Sequence, residues 1–316
     1  MNRELKIFSG SSNLPLAQKI CDRLGLPMGM ATISKFPDGE TFIKLDEDIR
    51  GRDIFVVQSI CHEPNEYLME LLIYLDCIRR ASAQRVTAVI PYYGYARQDR
   101  KDEGRTPITA KLVANMLVTA GADRVLTIDL HASQIQGFFD IPLDHLLAEQ
   151  VFLEHYRKME IANLTVASPD VGSVKRARLY AKHLGGTLVI AEKERVGSAD
   201  VRAGNLIGSV EGRNVILVDD MISTAGSVVA AAKMVKDHGA KDIYIAATHG
   251  LFCGPAIERL TAAGIKEVAV SDTIPLPEQC KKLKNLAVLS VAPMLGEAIS
   301  RIHRNESVSS LFMNEA

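Results

Sequence analysis

The sequence predicts an α/β fold of two similar domains, each a mainly parallel sheet flanked by helices. Three observations lead to this class: short runs rich in Val, Ile and Leu, amphipathic segments between them, and a faint internal repeat. Near-continuous apolar strands that alternate with helices are typical of parallel sheets covered on both faces. The length favours two domains, because 316 residues are roughly twice the commonest domain size.

The predicted strands are the apolar runs at residues 54–57, 86–90, 125–128, 164–167, 188–191, 215–218, 243–246 and 268–270. Helices are predicted between these runs, and two clear amphipathic segments are residues 110–119 and 228–237. Apolar side chains stand at successive positions of the strands, which favours burial on both faces of a sheet.

The internal repeat pairs G-R-D-I-F-V-V at residues 51–57 with G-R-N-V-I-L-V at residues 212–218. A helical stretch and another apolar run follow each copy. The plainer explanation is that all βαβ units resemble one another, but two similar domains meeting near residue 150 account better for the matches. We therefore predict domains at residues 1–148 and 149–300, and a tail at 301–316 that packs back on the first domain or on a regulatory site.

Charge and cysteine usage exclude several classes of protein. The formal net charge of -1 leaves no general basic field for nucleic acid or an anionic membrane, so any anion site must be local. The five cysteines are odd in number and never form C-x-x-C, which suggests neither a disulfide framework nor a zinc site. The start of the chain is charged, and no apolar run approaches about 20 residues. These features predict a cytoplasmic protein.

The strongest chemical signal follows the apolar run at 215–218. Asp219 and Asp220 come next, then the small residues 223–227, then the helix predicted at 228–237. Backbone N–H groups of a small-residue loop and a helix N-terminus form a site for a phosphate dianion. The two acids can accept hydrogen bonds from vicinal hydroxyls. A sugar phosphate such as ribose 5-phosphate fits both, whereas the plainer reading makes the acids helix N-caps beside an ordinary turn.

Further polar motifs precede this signal in a fixed order. They are F-P-D-G-E at 36–40, R-Q-D-R-K at 97–101, D-L-H-A-S at 129–133, S-P-D at 168–170 and K-E-R at 193–195, while no P-loop motif is present. Alone, the motif at 36–40 would indicate a turn and that at 97–101 a solvated charge run. His131 alone would be a buried histidine, and 193–195 a surface helix or turn. Together they resemble the ribose-phosphate diphosphokinase family over residues 8–312, and the 223–227 loop resembles the sugar-phosphate loop of type I phosphoribosyltransferases.

The resemblance implies two type I phosphoribosyltransferase-like domains and a Mg²⁺-dependent transfer of the β,γ-diphosphate of ATP to the 1-hydroxyl of ribose 5-phosphate. It implies that ATP is bound by Phe36, Asp38, Gly39 and Glu40 from a neighbouring subunit and by Arg97, Gln98 and Asp99. Ribose 5-phosphate is implied to bind Arg195, Asp219, Asp220, Ser223, Thr224, Ala225, Gly226 and Ser227. The implied catalytic residues are Lys193 and Arg195, which precede a glycine-containing stretch at 197–212 that reads as a mobile loop or short hairpin.

The implied metal residues are His131 and Asp170. Because Mg²⁺ prefers oxygen ligands and keeps several waters, we expect Asp170 to contact the metal directly and His131 to touch the phosphates or a bound water. The resemblance also implies a homo-oligomer, with a hexamer expected. Ser133, Asp144, Ser307, Ser309 and Phe312 match the pattern of a phosphate and ADP effector site, while Asp48 departs from it.

The chain differs from the family at Ser223, where an aspartate is usual, and at Ser227, where threonine is usual. Both residues keep a hydroxyl or backbone donor, so activity is still expected. Two alternatives stay open. A base phosphoribosyltransferase would leave residues 36–40, 97–101 and His131 unexplained, and a catalytically silent regulatory paralogue finds support only in Ser223.

Overall fold

A computed structural model describes residues 4–170, 172–191, 194–196, 200–202 and 205–311 of the chain. The chain divides into two compact units. The first contains the residues up to Leu147, the segment Thr273–Pro275 and the residues from Ser290 onward. The second contains Ala148–Asp272 and Leu276–Leu289. Among the described residues, no helix combines the length and the apolar character needed to cross a membrane.

The strands of the described chain are β1 Leu5–Ser9, β2 Ala31–Lys35, β3 Thr41–Leu45, β4 Asp53–Val57, β5 Arg85–Ile90, β6 Arg124–Ile128, β7 Leu143–Leu146, β8 Leu164–Ser168, β9 Thr187–Ala191, β10 Glu194–Val196, β11 Asp200–Arg202, β12 Leu206–Ile207, β13 Asn214–Ile222, β14 Ile243–Gly250, β15 Glu267–Ser271 and β16 Leu286–Leu289. The helices are α1 Leu14–Leu24, α2 Pro64–Arg80, α3 Thr109–Ala120, α4 Glu149–Met159, α5 Val174–Leu184, α6 Gly226–Asp237, α7 Ala256–Ala262 and α8 Ala292–Arg304. Short 3₁₀ turns cover Ser133–Phe138, Glu278–Lys282 and Ser309–Leu311.

The first unit contains a five-stranded sheet with the order β1-β4-β5-β6-β7, and every neighbouring pair is parallel. All residues of β4 are buried, as expected for a strand with helices on both faces. The strands β2 and β3 form a separate antiparallel hairpin, in which Lys35 pairs with Thr41 next to the tip.

The second unit contains a seven-stranded sheet with the order β12-β9-β8-β13-β14-β15-β16. The pairs are parallel except for the short strand β12, which is antiparallel to β9. Helices pack on both sheets around two apolar cores. The predicted α/β class with mainly parallel sheets is confirmed.

The helix α8 belongs to the first unit, where it packs on α1. The fully buried carboxylate of Asp53 on β4 lies 2.8 Å from Nδ1 of His303 on α8. The same carboxylate accepts hydrogen bonds from Arg85 of β5, which also donates to the carbonyl oxygen of Ile302 at 2.9 Å. This grouping differs from the predicted boundary at residue 300, because α8 runs across that position and is bonded to the first sheet.

Candidate active site

The acids Asp219 and Asp220 lie within β13, which continues past them to Ile222. The strand therefore continues beyond the predicted run at 215–218 and past the two acids at which it was expected to end. The neighbouring strand β14 is long enough to extend the ladder, with Asp219 opposite Ala247 and Ile222 opposite Gly250. The N-cap of the next helix, α6, is Ala225. The plainer reading of the acids as N-caps is therefore wrong.

The carboxyl group of Asp219 lies in a poorly solvated environment close to other acids. Burial, together with the negative charges of Asp220 and Asp170, raises the pKa of Asp219 to about 7. Two hydrogen bonds act in the opposite direction, from the Ser173 hydroxyl at 2.9 Å and from the Asp220 N–H at 2.9 Å. The site thus concentrates negative charge where a cation or hydroxyl donors would be favoured.

Ser173 joins the predicted sugar site to the predicted metal residue. Its hydroxyl donates to Asp219 Oδ1, and its backbone N–H donates to Asp170 Oδ1 at 2.9 Å. Asp170 follows the end of β8, and Ser173 is the N-cap of α5. Ser173 belongs to none of the sequence motifs, although its position three residues after Asp170 and just before a helical stretch is the sequence signal that could have identified it.

The 223–227 loop runs from the end of β13 into the first turn of α6, and residues 251–253 hold the carbonyl oxygens where the strand passes into the loop. The Ile222 oxygen accepts hydrogen bonds from the N–H groups of Leu251 and Phe252 at 3.0 and 3.1 Å, and the Ser223 oxygen accepts one from Cys253 at 2.8 Å. The Ala225 backbone is left-handed, with φ of 59°, and no side-chain hydrogen bond caps α6. A helix N-terminus without a side-chain cap is available to an anion.

The predicted ATP residues 36–40 form the tip of the β2–β3 hairpin. The Phe36 N–H donates to the Glu40 oxygen at 2.8 Å, the Gly39 N–H donates to the Phe36 oxygen at 2.9 Å, and Asp38 accepts the Glu40 N–H at 3.2 Å. Gly39 has φ of 96°, which only glycine adopts easily. The aromatic ring of Phe36 is 50% exposed and meets Phe42 edge to face, with ring centroids 5.6 Å apart. The tip is both a turn and an exposed aromatic surface.

The other predicted ATP residues, Arg97, Gln98 and Asp99, lie in the connection between β5 and α3. The Gln98 oxygen accepts the Ala110 N–H at 3.1 Å, which ties the connection to the start of α3. Asp99 Oδ2 accepts a hydrogen bond from Gln134 Nε2 at 2.6 Å. Gln134 lies in the 3₁₀ turn that follows His131, so the structure brings Asp99 and the turn after β6 together.

His131 is exposed after β6, which rules out the alternative of a buried structural histidine. The turn before it is unusual, because Asp129 has φ of 41° and a buried side chain. The next strand holds this turn in place. The Asp129 N–H donates to the Leu146 oxygen at 2.9 Å, and the Leu130 N–H donates to Nε2 of His145 at 2.8 Å.

Three predicted residues lie wholly or partly outside the described part of the chain. Lys193 lies outside the described residues, and of Arg195 only the backbone is described, in β10. That strand pairs antiparallel with β11, so the described part of this region is strand-like, in line with a hairpin. Phe312, which matched the effector pattern, also lies outside the described residues. Asp144 of the same pattern is bound to Arg124, with Nη1 and Oδ2 2.5 Å apart.

The donor groups fit a Mg²⁺ ion that is shared with a substrate. Within the described part of the chain, no three His, Cys, Asp or Glu side chains are grouped to hold a metal by themselves. Mg²⁺ commonly binds one or two carboxylates plus substrate phosphates and water, so a closed protein cage is not required. The exposed Asp170 carboxylate beside the crowded Asp219 and Asp220 meets that requirement. Asp170 and His131 belong to different units.

Comparison with known proteins decides the family. A family model described as the N-terminal domain of ribose phosphate pyrophosphokinase matches residues 5–121, and a phosphoribosyl synthetase-associated domain matches residues 201–313. A ribose-phosphate pyrophosphokinase from Rhodopirellula baltica is 58% identical over 313 residues, covering 98% of this chain and 99% of that protein. The chain belongs to the ribose-phosphate pyrophosphokinase family.

Other members of the family agree over the same length. A relative of the same name from Caldanaerobacter subterraneus is 52% identical, and the match covers 98% of this chain and 98% of that protein. The crystal structure of phosphoribosylpyrophosphate synthetase from Mycobacterium smegmatis has a TM-score of 0.89 at 42% identity, covering 96% of this chain and 100% of that one. The predicted family and enzyme class are confirmed. The base phosphoribosyltransferase and the silent paralogue are not favoured.

Proposed function

We propose that this ribose-phosphate pyrophosphokinase transfers the β,γ-diphosphate of ATP to the 1-hydroxyl of ribose 5-phosphate, giving 5-phosphoribosyl 1-diphosphate and AMP for nucleotide biosynthesis. In this reaction the hydroxyl oxygen bonds to the β-phosphorus, and the bond from that phosphorus to the α,β-bridging oxygen breaks. AMP leaves with the bonding electrons, and the hydroxyl proton is lost. The arrangement that carries the proposal is the Asp219–Asp220 pair directly ahead of the 223–227 loop.

The sugar phosphate is proposed to bind with its two ends on different groups. The phosphate accepts hydrogen bonds from the 223–227 loop, where Ser223, Thr224, Ala225, Gly226 and Ser227 precede and begin α6, whose dipole favours an anion. The ribose hydroxyls donate to Asp219 and Asp220, whose carboxylates are crowded and gain from new donors. Hydrogen bonds to charged groups of this kind are the stronger ones.

Asp170 is proposed as the residue that would hold Mg²⁺, and His131 as a group that acts on the ATP phosphates or a bound water. When bound, Mg²⁺ would neutralise charge that develops on the transferring diphosphate. Ser173 keeps the Asp170 carboxylate in place, because its N–H donates to Oδ1. The same serine holds Asp219, so the two acids keep a fixed spacing.

Lys193 and Arg195 are proposed as the catalytic cations, with Arg195 also touching ribose 5-phosphate. Their positive charges would stabilise the negative charge that builds up on the bridging and equatorial oxygens in the transition state. We expect Lys193→Ala to lower kcat by roughly 10²–10³-fold with a much smaller change in either KM. Steady-state kinetics with both substrates varied checks this. An unchanged kcat would remove Lys193 from the mechanism.

The ATP base is proposed to bind Phe36, Asp38, Gly39 and Glu40 of a neighbouring subunit, together with Arg97, Gln98 and Asp99. The half-exposed Phe36 ring supports this, because an aromatic face at an exposed hairpin tip offers stacking to a base. The enzyme is accordingly proposed to be a homo-oligomer, specifically a hexamer. Sedimentation at the assay concentration measures it, and a fully active monomer would contradict it.

A phosphate and ADP effector site at Ser133, Asp144, Ser307, Ser309 and Phe312 stays a proposal. Asp48, whose side chain accepts the Arg50 N–H at 3.1 Å, adds negative charge to the expected anion pattern. Titration of activity against inorganic phosphate and ADP measures the response. We also propose a cytoplasmic location, which the odd number of scattered cysteines supports.

The reaction itself is tested by incubating the purified chain with MgATP and ribose 5-phosphate and measuring AMP. Formation of AMP that depends on ribose 5-phosphate is expected. A base phosphoribosyltransferase would instead need 5-phosphoribosyl 1-diphosphate and a base, and a silent paralogue would form no AMP alone. Either of those results would contradict the proposal.

A further inference from the structure

One hydrogen bond of the 223–227 loop differs in kind from the rest. The carbonyl oxygens of Ile222 and Ser223 are held by backbone N–H groups, which every residue supplies. The carbonyl oxygen of Thr224 is held instead by a side chain, because Nη1 of Arg259 on α7 donates to it at 3.0 Å. A substitution at Arg259 removes this contact without changing a residue of the loop.

We propose that Arg259 is a positioning residue for the phosphate site, which rests on the proposed function of the 223–227 loop. A peptide group is planar and trans, so its C=O and N–H point in opposite directions. With the Thr224 oxygen turned toward Arg259, the N–H of Ala225 is turned to the other side of the loop. Among the described residues, that N–H donates to no other group. It is therefore presented to a phosphate oxygen.

The backbone at Ala225 needs a stabilising contact from outside the loop. Ala225 has φ of 59°, a left-handed conformation that a residue with a Cβ adopts reluctantly. Rotation of the Thr224–Ala225 peptide by half a turn would carry φ of Ala225 to negative values and relieve that strain. The same rotation would turn the Ala225 N–H away from the phosphate. The hydrogen bond from Arg259 opposes the rotation, because it fixes the direction of the Thr224 oxygen.

The start of α6 is shaped to admit this guanidinium group. A Cβ built on Gly226, the first residue of the helix, would lie 3.3 Å from Nη1 of Arg259, so the arginine head lies close over the glycine. A larger residue at 226 would push it away from the Thr224 oxygen. Gly226 thus serves the loop by leaving room for the residue that orients it.

The test compares the full-length wild type with Arg259→Ala, Arg259→Lys and Glu258→Ala. Glu258 is the matched control, as an exposed charged neighbour on the same helix. We expect Arg259→Ala to raise the KM for ribose 5-phosphate roughly 10–100-fold, with kcat and the KM for ATP within about twofold of wild type. Arg259→Lys should fall between, because a single ammonium donor replaces the guanidinium. Glu258→Ala should match wild type.

A double variant separates positioning from a simple effect of charge. Because glycine adopts positive φ without penalty, Ala225→Gly removes the strain that favours rotation of the peptide. We therefore expect Ala225→Gly to recover a large part of the ribose 5-phosphate affinity in the Arg259→Ala background. If Arg259 acted only by its charge, the glycine would recover nothing, and that result would overturn the proposal.

The proposal can fail independently of the proposed function. The rise in apparent Tm caused by ribose 5-phosphate is measured for each variant alongside activity, since a ligand that binds the folded state raises Tm. A rise in the wild type that is lost in Arg259→Ala supports the role of Arg259 even if no AMP is formed. An equal rise in both, or an unchanged KM, would overturn it. Circular dichroism shows whether each variant is folded.

Discussion

The 223–227 loop and the 36–40 hairpin tip are both short, polar connections, but they are held in place in different ways. The tip is closed by hydrogen bonds among its own residues, and residues 36–40 are all exposed. The loop takes support from elsewhere in its unit, from the N–H of Cys253 and the side chain of Arg259. Ala225 in the middle of the loop is buried.

This difference separates two ways of building a binding site. A loop that is braced from behind by its own unit is pre-organised, so the ligand does not have to order it on binding. A tip whose backbone is closed by its own hydrogen bonds presents a half-exposed aromatic ring, and another surface is needed to complete a pocket around that ring. We infer that the sugar-phosphate site is complete within one unit, whereas the adenine contact of the tip is made to a second copy.

The largest expected effect comes from oligomers in which one chain carries a substitution at the sugar-phosphate site and another chain carries one at the hairpin tip. Asp220→Asn removes a carboxylate beside the loop, and Phe36→Ala removes the ring of the tip. Each alone should lower kcat/KM roughly 10–100-fold, through ribose 5-phosphate and ATP respectively. The two variants are coexpressed with different affinity tags, and mixed oligomers are purified through both tags. These oligomers should regain about a quarter of the wild-type activity, because about one site in four combines an intact Asp220 from one chain with an intact Phe36 from its neighbour.

The control for this experiment is each variant coexpressed with itself under both tags. If the mixed oligomers are no more active than the average of these controls, the tip serves the chain that carries it. The contrast between the two regions would then have no functional meaning, and the inferred contact across subunits would be wrong.

A middle-sized effect concerns the stability of the acid pair. Burial and the charges of Asp220 and Asp170 raise the pKa of Asp219 to about 7, so the folded state holds a proton that the unfolded state has released. The free energy of unfolding should therefore fall as pH rises from about 4 to about 7. Asp219→Asn should lack this contribution and have an apparent Tm a few °C above wild type at pH 8.

Thermal unfolding at several pH values between 4 and 8 measures this, and Asp237→Asn at the exposed end of α6 is the control for loss of a charge. If the apparent Tm of the wild type rose with pH over this range relative to that of Asp219→Asn, the raised pKa of Asp219 would be contradicted. A tip variant such as Asp38→Asn should show no such difference, since Asp38 is exposed.

The smallest expected effect is that of Ala225→Gly in the otherwise wild-type chain. Removing the strain of a left-handed alanine stabilises the folded state by roughly 1 kcal/mol. Glycine also increases the conformational entropy of the unfolded chain, which offsets a similar free energy. Apparent Tm should stay within about 2 °C and the KM for ribose 5-phosphate within about twofold. A large loss of affinity would mean that the residue type, rather than its supports, fixes the loop. Calorimetric unfolding and initial rates check it.

Eight of the observed strands could be predicted because each contains a continuous apolar run. Each predicted run lies inside an observed strand, as in 86–90 within Arg85–Ile90 and 243–246 within Ile243–Gly250. The hairpin strands Ala31–Lys35 and Thr41–Leu45 were missed, because they are partly exposed and carry no continuous apolar run. The end of β13 was misplaced, because pairing with β14 extends the ladder through polar residues.

The site was predictable only as a set of residue types. The order of the motifs indicated Asp170, Asp219 and the 223–227 loop, and Ser173 could have been found from its position before a helical stretch, but Arg259 could not be linked to them from spacing. Arg259 is 35 positions from Thr224 along the chain and meets it only because α7 packs beside α6. Such contacts depend on the order of strands in the sheet, which the motifs do not encode.

The tie between Asp53, Arg85 and His303 has a consequence for how the chain is made. During synthesis, the first sheet leaves the ribosome before the second unit, while α8, whose His303 contacts the buried carboxylate of Asp53, is translated after that unit. Domains generally fold as units as they emerge. Here the second unit, which is nearly continuous, can complete its sheet while the first still waits for α8, with Asp53 bonded to Arg85 but not yet to His303. Translation speed over the last helix should therefore affect the yield of native protein more than speed over the first.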